Sequence, residues 1–140
     1  MGPDLKHANI ATVLVQDYFH RHVFWEVVTS RQWTKLTTNI RTDVEATLRM
    51  LNFHSVHATF FVLAWIAERY PELIQTIVSE GHEIACAGTT AMPLNTMSEA
   101  NFREDLHAAK TTLEDISGTK VFGFRLAFGY IPRNHPWALD

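Results

Sequence analysis

Residues 58–85, ATFFVLAWIAERYPELIQTIVSEGHEIA, decide the fold. The run Ala58-Thr59-Phe60-Phe61-Val62-Leu63 is apolar, aromatic and β-branched, the composition of a buried strand. Ala64 to Ser79 reads as helix in two parts, because Pro71 lacks the amide that a helix interior needs and suits a new first turn after Tyr70. Gly81 is placed to end that helix, and His82 to Ala85 forms a further short strand. Strand, helix and strand within so short a span imply a parallel pair joined by a helical crossover.

The pattern repeats on either side. Upstream, Ile10 to Val15 is another β-branched strand, ending at the polar and aromatic switch Gln16-Asp17-Tyr18-Phe19-His20. Residues 21–38 are aromatic and irregular, a loop with short helical turns. Val44, Leu48 and Leu51 then fall at helical spacing within residues 41–52. Downstream, Gly88 to Met97 is a loop. Ser98 is the expected N-cap of a helix reaching Ile116, with Glu99 well placed in its first turn. Ser117-Gly118 closes that helix, Val121 to Phe124 reads as a fourth strand, and Trp137-Ala138-Leu139-Asp140 opens another helix. The expected architecture is α/β, with about four parallel strands and helical crossovers, in a single domain over residues 1–140.

Bulk properties narrow the function. The 140 residues are 46% hydrophobic and 19% charged, enough apolar material for a core. A net charge of -3 gives no basic footprint, which argues against nucleic acid as a partner. The single cysteine, Cys86, excludes an internal disulfide. Met1-Gly2-Pro3-Asp4-Leu5-Lys6 lacks the apolar core of a signal peptide, and no apolar run reaches the roughly 20 residues that span a bilayer. A cytoplasmic protein is the default expectation.

Six phrases, in order, carry a resemblance: Asp17-Tyr18-Phe19-His20, residues 58–63, Ala67-Glu68-Arg69-Tyr70-Pro71-Glu72-Leu73, Gly81-His82-Glu83-Ile84-Ala85, Phe102-Arg103-Glu104-Asp105-Leu106, and Trp137-Ala138-Leu139-Asp140. Together they resemble the polysaccharide deacetylase (NodB-homology) family, in the branch found with bacterial exopolysaccharide clusters. The resemblance covers nearly the whole chain but only about the first half of the family's domain. It implies a truncated parallel (β/α) barrel of the polysaccharide deacetylase type. In that family an aspartate is the general base, and a carboxylate with two histidines holds a divalent metal that activates water.

At those positions this sequence departs from the family. The Asp-Val-Glu-Asp word appears as Leu14-Val15-Gln16-Asp17, placing Leu14 at the base and neutral Gln16 at a carboxylate. Ala87 and Ala91 replace the two histidines, and neither methyl group has a lone pair to bind metal. Arg125 remains where the family's arginine would orient the base. The resemblance therefore implies a polysaccharide deacetylase-like pseudoenzyme, a carbohydrate- or partner-binding remnant with no expected cofactor. The alternative is a metal-dependent hydrolase that deacetylates N-acetylated sugars through a rebuilt zinc-type site, using the surviving Asp17 with His20 and His22.

Other candidates have plainer readings. Asp17 serves either as a ligand or as a cap for the loop after the first strand. Arg125 pairs with Asp17 or binds a backbone carbonyl. His54 and His57 flank a turn and should face solvent, while His82 should hydrogen-bond locally at a strand start. Cys86 has no histidine beside it and reads as a small buried hydrophobe. Tyr18, Phe19, Phe24, Trp25 and Trp33 either stack on sugars, or plug the barrel end or line a subunit contact. Four parallel strands leave an open edge, so a homodimer or larger subunit covering it is the expected partner.

Overall fold

A computed structural model describes residues 9–139. Three parallel strands, β1 (Ala11–Val15), β2 (Ala58–Val62) and β3 (Glu83–Cys86), form one sheet in the order β1-β2-β3. The crossovers carry α1 (Ile40–Phe53) and the pair α2 (Ala64–Arg69) and α3 (Pro71–Ser79), and α4 (Glu99–Ser117) follows β3. The class is α/β, as the sequence pattern implies. The terminal words that include Met1 to Lys6 and Asp140 fall outside the described residues in whole or in part.

Burial follows the strand period of two. Ala58, Phe60 and Val62 are buried, and the helices cover their face together with Val15, Ile84 and Cys86. The register pairs Leu14 with Phe61 and Phe61 with Ala85, so these share the opposite face. Val44, Leu48 and Leu51 of α1 and Leu73, Ile74 and Ile77 of α3 complete the core. Phe60, wholly enclosed, is worth about 3–5 kcal/mol against alanine at such a site.

Local chemistry sets the helix ends. Tyr70 breaks the crossover at φ -132°, and Pro71 opens α3 at its first turn. Gly81 adopts φ 84°; its amide donates to the Val78 carbonyl and the His82 amide to that of Ile77. This closure is why β3 starts at Glu83 and not at His82, whose amide is already committed. Ser98 accepts the Asn101 amide at the start of α4, and left-handed Gly118 ends it.

The expected fourth strand does not form. Phe124 makes an isolated parallel bridge to Cys86, through Cys86 N–H to the Gly123 carbonyl (2.8 Å) and Arg125 N–H to the Cys86 carbonyl (3.0 Å). The segment's first amide, that of Val121, instead donates to the Glu114 carboxylate at 3.0 Å, which takes it out of any strand ladder. Among the described residues no helix is long and apolar enough to cross a membrane.

Candidate functional site

Loops leaving the carboxyl ends of β1 and β3 meet at one end of the sheet, the usual place for a site in parallel α/β folds. The first of them, residues 16–39, winds through short 3-10 turns at Tyr18–His20, His22–Phe24 and Ser30–Lys35. Asp17 fixes it. Its buried carboxylate accepts the Tyr18 amide at 2.8 Å and the Thr38 hydroxyl, and Thr38 in turn accepts the Ile40 amide at 3.2 Å. One carboxylate thus ties the start of the loop to the start of α1. Of the two readings for Asp17, the structure gives it the capping role.

His20 sits inside this staple, fully buried. Its Nδ1 accepts the Asp17 amide at 2.9 Å, which leaves the neutral ring's proton on Nε2. Burial lowers its pKa from 6.5 to about 4, against an opposing pull from the Asp17 charge. Phe19, Trp33 and Trp65 surround the ring. His22 instead lies exposed and stacks on Phe128 at 4.4 Å between centroids. Asp17, His20 and His22 therefore do not converge, and among the described residues no three histidine, cysteine or acidic side chains are grouped to hold a metal ion.

The second loop carries Ala87 and Ala91, both buried at 4% and 2% exposure. Its backbone is held from two sides. The Gly88 and Thr89 carbonyls accept the Ala64 and Trp65 amides at 3.0 and 3.1 Å, at the N-terminus of α2. The Asp105 carboxylate on α4 accepts the Thr89 amide at 3.1 Å. Gly88 lies at φ 90°, and a Cβ there would stand 3.2 Å from Asp105 Oδ2. Cys86 is buried with its Sγ accepting the Gly88 amide at 3.3 Å, and burial raises its thiol pKa, the reverse of an activated nucleophile.

Arg125 holds its place by its backbone bond to Cys86, and its exposed side chain makes no ion pair with any described residue. Gln16 buries its Oε1 without a donor among the described residues. At the opposite end of the sheet His54 and His57 are exposed, as expected, with His57 Nδ1 3.0 Å from the Gly81 carbonyl. The side chain of His82 bonds across the sheet and not locally. Its Nδ1 accepts the Ala58 amide at 3.2 Å and so ties β3 to the start of β2; burial, then the His57 charge, lower its pKa.

Sequence reasoning did not foresee an open cleft of about 520 Å³ between the first loop and residues 128–130. Trp25, His22, Phe128 and the largely exposed Tyr130 supply aromatic faces, and Asn95 and Thr96 supply polar groups. Phe19 and Trp33 are buried as plugs, whereas Trp25 lines this cleft.

A polysaccharide deacetylase family profile matches residues 35–139. The chain belongs to the polysaccharide deacetylase family. A relative, the peptidoglycan-N-acetylglucosamine deacetylase of Bacillus cereus, is 29% identical over 109 residues, 75% of this chain and 40% of that protein. A solved structure titled a putative polysaccharide deacetylase from Mycobacterium smegmatis is 26% identical with a TM-score of 0.69, covering 84% of this chain and 42% of that one. A mutant of a Bacillus anthracis CE4-family pseudoenzyme, described as having restored enzymatic activity, is 25% identical with a TM-score of 0.59, over 61% of this chain and 31% of that one. The chain thus spans less than half the length of each of these proteins.

Ala87 and Ala91 lie inside the matched region of this polysaccharide deacetylase family member, and Leu14 to Asp17 lie before it. The divalent metal the family implies does not fit the residues present. The two methyl groups offer no donor atom, Gln16 offers only a neutral amide oxygen in place of a carboxylate, and the nearby Asp17 carboxylate already accepts from Tyr18 and Thr38.

Proposed function

We propose that this chain is a non-catalytic member of the polysaccharide deacetylase family that binds carbohydrate, with N-acetylated sugar polymers of the kind named for its relatives as the ligand class. One observation carries the catalytic half of this reading: the loop that should present two imidazoles is intact and firmly held, yet presents buried alanines at 87 and 91. With no lone pairs there and a leucine at the base position, neither a Lewis acid nor a proton acceptor is built into the site. The pseudoenzyme among its structural neighbours supports a scaffold that persists apart from activity.

The open cleft supports the binding half. The half-buried Trp25 and the exposed Tyr130 offer aromatic surface that suits the apolar faces of pyranose rings, and Asn95 and Thr96 suit their hydroxyl groups. The test titrates the purified chain with N-acetylglucosamine oligomers while acetate is assayed. Saturable quenching of tryptophan emission, weakened by Trp25→Ala, without acetate release is the expected result. Chelator-sensitive acetate release overturns the catalytic half, and an unresponsive emission spectrum overturns the binding half.

A further inference from the structure

The cleft between the first loop and residues 128–130 has walls that are anchored unequally. On the first-loop side the Trp25 indole N–H donates to the carbonyl of buried His20 at 3.1 Å, and the Trp25 amide donates to the His22 carbonyl at 3.1 Å. The backbone of residues 126–131, by contrast, makes no hydrogen bond with any described residue. Gly129 adopts φ 89°, and open space surrounds the position a Cβ would take, so nothing crowds this turn into place. A segment with no backbone hydrogen bonds keeps one conformation only where side-chain packing holds it.

His22 supplies that packing. Its ring lies flat on Phe128, 4.4 Å between centroids and 7° from parallel, and meets Trp25 edge to face at 5.6 Å. Trp25 and Phe128 meet in turn at 5.5 Å and 62°. The three rings close a triad that joins the two walls, at separations where aromatic pairs attract. Tyr130, exposed and two residues beyond Phe128, takes its place in the cleft from the segment that Phe128 anchors. His22 is itself exposed and belongs to no part of the buried core, so its loss should leave the sheet and helices standing.

We propose that His22 is a positioning residue of the carbohydrate cleft: its ring latches residues 128–130 to Trp25, so that Trp25 and Tyr130 present aromatic surface to the same ligand. The proposal rests on the carbohydrate reading of the cleft. A ligand that binds only the latched arrangement is held in proportion to the fraction of chains latched. The latch needs a flat ring at position 22 and not an imidazole nitrogen, so phenylalanine can stand in for it and alanine cannot.

The experiment compares the original chain with His22→Ala and His22→Phe in two readouts. The first, without ligand, is ¹⁵N relaxation of the amides of residues 128–130. Order parameters of about 0.8 are expected in the original chain and in His22→Phe, falling below about 0.6 in His22→Ala. The second is calorimetric titration with the N-acetylglucosamine trimer. His22→Ala should bind it about three- to tenfold more weakly, the worth of one aromatic pair, and His22→Phe within about twofold of the original. Phe128→Ala, which removes the same stack from the other wall, should repeat both losses and serves if His22→Ala fails to fold. Order parameters unchanged by His22→Ala, or not restored by His22→Phe, overturn the latch. Equal trimer affinity in the original chain and His22→Ala overturns the positioning role, and so does rigidity restored by His22→Phe without affinity, the mark of a direct contact from the imidazole to the sugar. An original chain that does not bind the trimer, with order parameters as expected, overturns the carbohydrate reading and the positioning role with it, although the latch stands.

Discussion

His20 makes stability depend on pH in a window set by its own environment. The folded pKa is about 4 and the ordinary value is 6.5, so the unfolded chain binds a proton between these values that the folded chain refuses. A depressed folded pKa means that the contribution is complete above pH 6.5 and is lost as pH falls towards 4. The full span of about 2.5 pH units corresponds to about 3 kcal/mol, of which about 2 kcal/mol is gone by pH 5. That is a large part of the 5–15 kcal/mol typical of a domain. Burial of His82 acts in the same direction, and so do the lowered carboxyls of Glu72 and Glu114 at more acid pH, so the reference must be a variant. His20→Asn supplies one: its side-chain oxygen can take the Asp17 amide but does not titrate. Urea unfolding followed by tryptophan emission at pH 7.5 and 5.0 should show the original chain losing about 2 kcal/mol more than His20→Asn. Equal losses in the two proteins, or a His20 titration by NMR centred above pH 6, would refute the reasoning.

Asp17→Ala should cost about 1–3 kcal/mol in the same unfolding assay, because the Tyr18 amide and Thr38 hydroxyl lose their shared acceptor; amide exchange should quicken across residues 18–38. Gly88→Ala should destabilise by about 1–3 kcal/mol, combining a φ of 90° with a Cβ pressed against Asp105, and should unprotect the Thr89 amide in hydrogen exchange. Ser55→Gly should stabilise by about 1 kcal/mol in thermal or urea unfolding, since Ser55 occupies φ 53° at the C-terminal turn of α1, where the Val56 amide reaches back to the Leu51 carbonyl.

Sequence made the crossovers legible because their signals are local. Pro71 after Tyr70, Ser98 before α4 and Gly118 after it each act on the backbone within a turn of themselves. The fourth strand was misread for a non-local reason: Val121 has a strand former's side chain, but its amide is captured by Glu114, seven residues back on α4. His82 was misjudged likewise, since its partner Ala58 lies 24 residues away. The lack of donor atoms at Ala87 and Ala91 could be read directly, whereas the cleft could not, because nothing in residues 93–96 or 128–130 announces that they meet beside His22 and Trp25. Asp105 was noticed within a family phrase, but its hold on the Thr89 amide appears only in the fold.

The most direct test of a family member without metal chemistry is the divalent metal content of the purified chain, by elemental analysis after dialysis against zinc or cobalt and then against metal-free buffer. The account predicts metal far below one equivalent per chain, unchanged when His20 and His22 are replaced by alanine. Near-stoichiometric metal that disappears in the His20→Ala, His22→Ala chain would contradict it.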